Sequence, residues 1–217
     1  MNLIKAIILA GGRGKRIGGD KPLVKFLGKP FIFWVFQALI PLNLPVYISV
    51  KTEEQKEKIK KTLISYGIYL KEKNFIKDIY PEIEGPISGI YSAIKKFSPH
   101  ESLLILGVDQ IFVETCLLRY LLTLNYIFPN FVIIFKNNKF LEPFPGIYPC
   151  TLKNEFEFFL KNSKKKSLFN LFYFFYTQGI ILFLENYCSF NKNNFININT
   201  LEELKNLENV FARIRQS

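Results

Sequence analysis

A single histidine stands among 217 residues, with one tryptophan, one methionine and three cysteines. His100 precedes a candidate strand and has no partner signature, so a His-dependent nucleophile–base mechanism finds no support. Cys116, Cys150 and Cys188 are widely spaced and odd in number. They spell neither a disulfide framework nor a zinc site and suit a reducing compartment. Long apolar runs are missing too. The start, MNLIKAIILAGG, lacks the longer apolar core and cleavage site of a secretory signal. The most membrane-like stretch, 168–184, is interrupted by Asn170, Thr177, Gln178 and Gly179. It falls short of the roughly 20 apolar residues of a spanning helix and reads as buried core. The expectation is a cytoplasmic protein with no membrane partner.

Acidic residues are also scarce, 18 against 29 Lys and Arg, for a formal charge of +11. Such a balance attracts polyanions such as a nucleoside triphosphate, a phosphorylated co-substrate or nucleic acid. Most of the positive charge, as at Lys56, Lys58, Lys60 and Lys61, falls on a predicted helix surface. The aromatic residues (23 Phe, 11 Tyr) read as core rather than as a stacking platform. Nucleic acid is therefore not the expected partner. With 49% hydrophobic residues the chain can bury a substantial core, and its 25.4 kDa suit one domain spanning 1–217.

What is present is concentrated near the start. The apolar run through Ile4–Leu9 fits a strand buried on both faces. It breaks into a loop, Ala10-Gly11-Gly12-Arg13-Gly14-Lys15-Arg16-Ile17-Gly18-Gly19-Asp20-Lys21. Glycines allow positive φ and close approach of backbone N–H groups to a ligand, and oriented amides form an anion-binding concavity. Arg13, Lys15, Arg16 and Lys21 surround it with charge. Asp20 follows Gly19 where a Walker loop has Lys, and Ile17 stands where a dinucleotide fingerprint needs glycine. The loop is a phosphate site of a third kind.

Down the chain, helices are expected at Pro30–Ile40, Glu53–Tyr66, 85–96, Glu114–Leu124, Thr151–Leu160, Ser167–Phe175 and from Asn199-Thr200. Strands are expected at Val46–Val50, Ile68–Leu70, Ser102–Leu106, Phe131–Phe135 and Ile180–Leu184. Residues 71–84 read as loop, Phe140–Tyr148 as an inserted loop or short hairpin, and 186–199 as a mobile polar loop. Alternation of strands and helices predicts an α/β fold, a mostly parallel sheet with helices on both faces. Asp109 falls just past a buried strand, where such sheets place ligands. By itself, an aspartate after a strand more often caps a loop.

LAGGRGKRIGGDKPL resembles the Leu-Ala-Gly-Gly-x-Ser-x-Arg-Met-Gly-x-Asp-Lys signature of the molybdenum cofactor guanylyltransferases. The similarity continues in the family's order through GKP (28–30), FIKD (75–78), GPISGIYSAI (85–94), GVDQIF (107–112), EPFPGIYP (142–149) and FININTLEEL (195–204). It implies a Rossmann-like three-layer sandwich of the nucleotide-diphospho-sugar transferase kind. It also implies transfer of GMP from GTP to the phosphate of the molybdenum–molybdopterin cofactor. Mg²⁺ would be the cofactor, held by Asp109. Lys21 would contact the nucleotide and, with Asp109 and Arg16, carry catalysis. Arg13 and Lys15 fall on variable positions and read as solvated. Leu9, Ala10, Gly11, Gly12, Gly18 and Lys51 complete the implied nucleotide site, Leu9 and Ala10 through main-chain groups.

Three sets remain open between two roles. Asp78 is a ribose or base contact or an ordinary loop residue. Asn197 and Asn199 are metal or pterin-side contacts, or Asn199 caps a helix. Gly85, Pro86 and Gly89 shape a substrate-facing loop or simply a turn. The sequence departs from the family at Gly14 (serine), Ile17 (methionine), Gly107-Val108 (Pro-Cys), Ile111 (proline), Lys51 (asparagine) and Leu201 (proline). The phosphate and metal parts are intact, and the changes bear on base selection. Rival activities are a CTP-using relative, transfer to another phosphorylated acceptor, and a non-catalytic GTP-binding module that delivers cofactor. The expected state is a monomer, with apo-molybdoenzymes and other cofactor-biosynthesis proteins as further partners.

Overall fold

A computed structural model describes residues 3–12, 14–80, 83, 85–137, 140–185 and 190–216, with the backbone alone at Lys15 and 212–216. The expectations for Arg13, the Lys15 side chain and Cys188 thus lie outside the described residues, as do 186–189 of the polar loop.

Strand β1 (Leu3–Leu9) runs through the middle of a seven-stranded sheet. The small hairpin β2 (Lys25–Phe26) and β3 (Lys29–Pro30) follows, turning at Leu27 and Gly28 with positive φ at both, the backbone that two-residue hairpins favour. Then come α1 (Phe31–Leu39), β4 (Val46–Val50), α2 (Glu53–Ser65), β5 (Phe75–Lys77), α3 (Ile87–Lys96) and β6 (Glu101–Gly107). The second half holds α4 (Thr115–Ile127), β7 (Val132–Asn137), β8 (Phe140–Pro149), α5 (Lys153–Asn162), α6 (Leu168–Thr177), β9 (Ile181–Leu184) and α7 (Leu201–Gln216). The sheet order is β5-β4-β1-β6-β8-β7-β9, and only β8 runs against its neighbours.

Alternation of side chains across the strands builds two cores. Ala6, Ile8, Leu104, Leu106, Ile133 and Phe135 face one, with α1, α2 and α4. Ile7, Leu103, Ile105, Val132 and Ile134 face the other, with α3, α5 and α6. A sheet covered on both faces explains the unbroken apolar runs at β1 and β6. The architecture is the expected three-layer α/β sandwich.

The expectations for 68–84 fail locally. Residues 68–70 form no strand, and β5 lies instead at Phe75–Lys77, inside the segment expected to be loop. The Asn74 amide donates to the Val46 carbonyl (2.8 Å), and Phe75 and Ile76 are buried against β4. Three residues are too few to show a period. Of the two readings of 140–148, the hairpin holds: β8 is the return arm after β7 and lies between β6 and β7, with a register shift that accommodates its prolines. The described part of the polar 186–199 segment is anchored. Buried Asn194 accepts from the Glu114 backbone N–H (2.6 Å), and its amide donates to the Glu114 carboxylate.

Candidate active site

The strand order reverses beside β1, since the chain first builds outward to β5 and then returns to the other flank with β6. That reversal leaves a crevice at the carboxyl ends of the strands. Here it is a cleft of about 640 Å³ lined by residues after β1, β4, β5 and β6, the start of α3, and the 197–199 segment.

The glycine loop forms its near rim. Gly14 takes φ +57°, and a Cβ there would lie 1.8 Å from the Gly19 carbonyl oxygen. Its own carbonyl accepts from the Ile17 and Gly19 N–H groups. Glycine is therefore required where the resembled signature has serine. Ile17, almost fully buried, roots the loop in the core. Gly11, Gly12 and Arg16 line the cleft, as does Leu9. Gly18 does not; a side chain there would meet Leu201. Ala10 lies fully buried beneath, its N–H donating to the Ser49 carbonyl and its carbonyl accepting from the Gln55 amide.

At the end of β6 the chain turns through Gly107-Val108-Asp109. The Gln110 side chain accepts from the Gly107 N–H (3.0 Å) and donates to the Phe144 carbonyl, tying the turn to the β7–β8 hairpin. A Cβ at Gly107 would stand 2.5 Å from Asp109 Oδ1, so glycine lets the carboxylate fold over the strand end. Asp109 Oδ2 then receives the Lys21 ammonium at 2.6 Å. The same Nζ donates to Asn199 Oδ1 at 2.7 Å.

Asn199 can do this because it does not cap α7. Thr200 does: its Oγ1 accepts from the Glu203 N–H (3.1 Å), while the Glu203 carboxylate accepts from the Asn199 and Thr200 N–H groups. Between the two asparagines Ile198 is fully buried, and its N–H reaches the Asp109 carbonyl (3.4 Å). Extended backbone alternates sides, so sinking Ile198 turns Asn197 and Asn199 toward the cleft.

On the far side, Asp78 follows β5 and is nearly buried. Its Oδ1 accepts from the Ser49 hydroxyl (2.7 Å). Burial raises its pKa, opposed by the Ser49 hydrogen bond and the charge of Lys51. Gly85, Pro86 and Gly89 complete this wall at the start of α3. A Cβ at Gly89 would lie 2.8 Å from Ser49 Oγ, so glycine permits the helix to reach the sheet edge. Ser49 and Phe144 also line the cleft and were not singled out from sequence, as do Gly107 and Val108, which stood out there only as departures from the family. A hydroxyl inside the apolar run of β4 was the one available signal.

Whether the site suits a divalent ion is tested by its donors. Asp109 and Asn199 offer oxygens that already flank a cation, the Lys21 ammonium, and Asn197 adds a side-chain oxygen nearby. Oxygen donors with one carboxylate are what Mg²⁺ accepts alongside phosphates. A separate group of carboxylates, exposed Glu53 and Glu72 with half-buried Glu57, lies on α2 and the turn before β5. It is already bridged by Lys56 and Lys60 and lies away from the cleft. Much of the α2 charge is thus paired. Cys116 and Cys150 are free thiols. Among the described residues no helix is long and apolar enough to cross a membrane.

The profile of the MobA-like NTP transferase domain matches residues 6–174. A curated protein named molybdenum cofactor guanylyltransferase, from Ectopseudomonas mendocina, is 27% identical over 152 residues, 70% of this chain and 68% of its own. The solved structure of molybdopterin-guanine dinucleotide biosynthesis protein A from Archaeoglobus fulgidus is similar with a TM-score of 0.75 and 25% identity, over 96% of this chain and 99% of that one. A 4-diphosphocytidyl-2C-methyl-D-erythritol synthase from Anaerococcus prevotii shares the fold, with a TM-score of 0.68 and 16% identity over 98% and 96% of the chains. With a glycine loop, a lysine and an aspartate converging on one cleft and the domain profile covering most of its length, the chain belongs to the MobA-like NTP transferase family.

Proposed function

We propose that the chain transfers GMP from GTP to the phosphate of the molybdenum–molybdopterin cofactor, forming molybdopterin guanine dinucleotide and pyrophosphate. The observation that carries this is the convergence of Lys21, Asp109 and Asn199 beside the glycine loop. An oxygen of the acceptor phosphate attacks the α-phosphorus, the bond to the β-bridging oxygen breaks, and that oxygen leaves with the electron pair as pyrophosphate. The nucleophile is already an anion, so no general base is required, in keeping with an exposed, solitary His100.

Catalysis is then positioning and charge neutralisation. The Lys21 ammonium stabilises charge on the transferring phosphate and on the leaving group. Arg16 and the Gly11-Gly12 amides hold the phosphates, and the cleft between Leu9 and Asp78 takes the nucleoside. Asp109, with Asn197 and Asn199, would hold Mg²⁺, which when bound supplies further neutralisation of phosphate charge. We further propose that residues 1–217 form one domain and act as a monomer.

The test is pyrophosphate release with each of the four ribonucleoside triphosphates, with and without molybdopterin cofactor. Release confined to GTP plus cofactor is expected; release with another triphosphate or without acceptor would contradict the assignment. Lys51 supports a second reading, a cytidylyltransferase, because a lysine donor beside the Asp78 acceptor also complements the edge of cytosine. Thermal stabilisation by GTP against CTP separates the two. A cofactor-delivery module would bind GTP and release no pyrophosphate.

A further inference from the structure

The mechanism leaves unexplained a buried hydroxyl that touches a cleft carboxylate. Ser49 sits near the end of β4, where Ile48 and Val50 turn to one core and Ser49 faces α3. It is 1% exposed, and its Oγ donates to Asp78 Oδ1 at 2.7 Å. The Asp78 backbone is fixed as well, its N–H bound to the Val50 carbonyl at 3.0 Å. One carboxylate oxygen is thereby occupied inside the wall. The other, Oδ2, lies 3.3 Å from where a side chain on Gly11 would begin, and among the described residues no donor reaches it. The stem of Lys51 packs against the same point, with Cγ at 3.0 Å.

We infer that Ser49 is a positioning residue for nucleotide recognition: it ties down one oxygen of Asp78 so that the other meets an N–H or O–H donor of the bound nucleoside across Gly11. The inference rests on the nucleotidyl transfer proposed above and adds to it the group that aims the acceptor. Glycine at 11 keeps the approach open, and glycine at 89 lets α3 close the wall behind the serine. Lys51 is the charged side chain acting on Asp78; on α3, Gly89 lies beside the carboxylate while Ser88 and Ser92 accept from the Tyr80 and Ile79 N–H groups, all three neutral, as are Leu9 and Gly11 on the β1 side.

The consequence has a sign. Asp78 accepts most strongly from the nucleoside when ionised, burial raises its pKa, and the Ser49 hydrogen bond works against that rise. Removing the hydroxyl therefore pushes the carboxyl further up and moves the acid limb of GTP use to higher pH. The experiment measures kcat and KM for GTP from about pH 5 to 8 with the full chain, Ser49→Ala and Asp78→Asn, alongside melting temperatures. Ser49→Ala is expected to raise KM about tenfold, the scale of one misplaced hydrogen bond to a charged group, with kcat within about threefold. Its acid limb moves up, and Asp78→Asn loses that limb. An unmoved limb in Ser49→Ala, with the unsubstituted chain turning over GTP, overturns this inference alone. Failure of the unsubstituted chain to bind GTP overturns the reading beneath it as well.

Discussion

Asp109 and Lys21 form one unit in the cleft, joined at 2.6 Å, so each is expected to fail in its own way when removed. Asp109→Ala should abolish pyrophosphate release while circular dichroism and melting stay near those of the parent chain; retained Mg²⁺-dependent release would contradict its role. Lys21→Gln removes the cation that sits between Asp109 and Asn199, so divalent-ion binding to the nucleotide-free protein should tighten even as transfer falls. Titration with Mn²⁺ reads the first effect, and unchanged affinity would show that the ammonium does not compete for the site. Gly14 makes a sharper demand. A Cβ there meets the Gly19 carbonyl and a left-handed φ, the latter alone worth roughly 1 kcal/mol. Gly14→Ala should weaken GTP binding severalfold in a fluorescence titration, and wild-type affinity would mean the loop is not the phosphate cradle. Asp109 and Lys21 stood out in the sequence through the resemblance of their motifs, since by itself an aspartate after a strand more often caps a loop and a lysine beside glycines is solvated. Ser49 and Gln110 did not, since their roles depend on partners 29 and 34 residues away.

Among elements, the turn from 197 to 203 shows how packing decides between two readings of the same letters. Either asparagine or threonine can cap a helix, but burial of Ile198 fixes the register, Thr200 takes the cap, and Asn199 is released to Lys21. Thr200→Ala should cost about 1 kcal/mol as a lost N-cap, a fall of roughly 2–4 °C in melting temperature. Calorimetry showing no change would mean that α7 is capped otherwise. The strands that could be read ahead were those long enough, or apolar enough, to show a pattern. β5 could not, because three residues define no period and its stability comes from pairing with β4. The proline-bearing β8 read as an inserted loop or short hairpin, because its prolines break the strand pattern and its second partner, β6, lies more than thirty residues away.

At the scale of the molecule, the cleft lies where the order of the sheet reverses, and the short motifs along the chain, GKP (28–30) apart, each bring residues to that point. The excess of positive charge is not spread evenly in effect: on α2, Lys56, Lys58 and Lys60 are spent on neighbouring carboxylates, while Arg16 and Lys21 line the cleft. On the proposed reading, this site holds the phosphates of a nucleotide and the bond beyond the first of them is the one that breaks. GTP radiolabelled at its α-phosphorus, incubated with the protein, Mg²⁺ and molybdopterin cofactor, reads that bond directly. The account predicts label on the cofactor and none there with Asp109→Ala; label appearing instead in GDP or in free phosphate would contradict it.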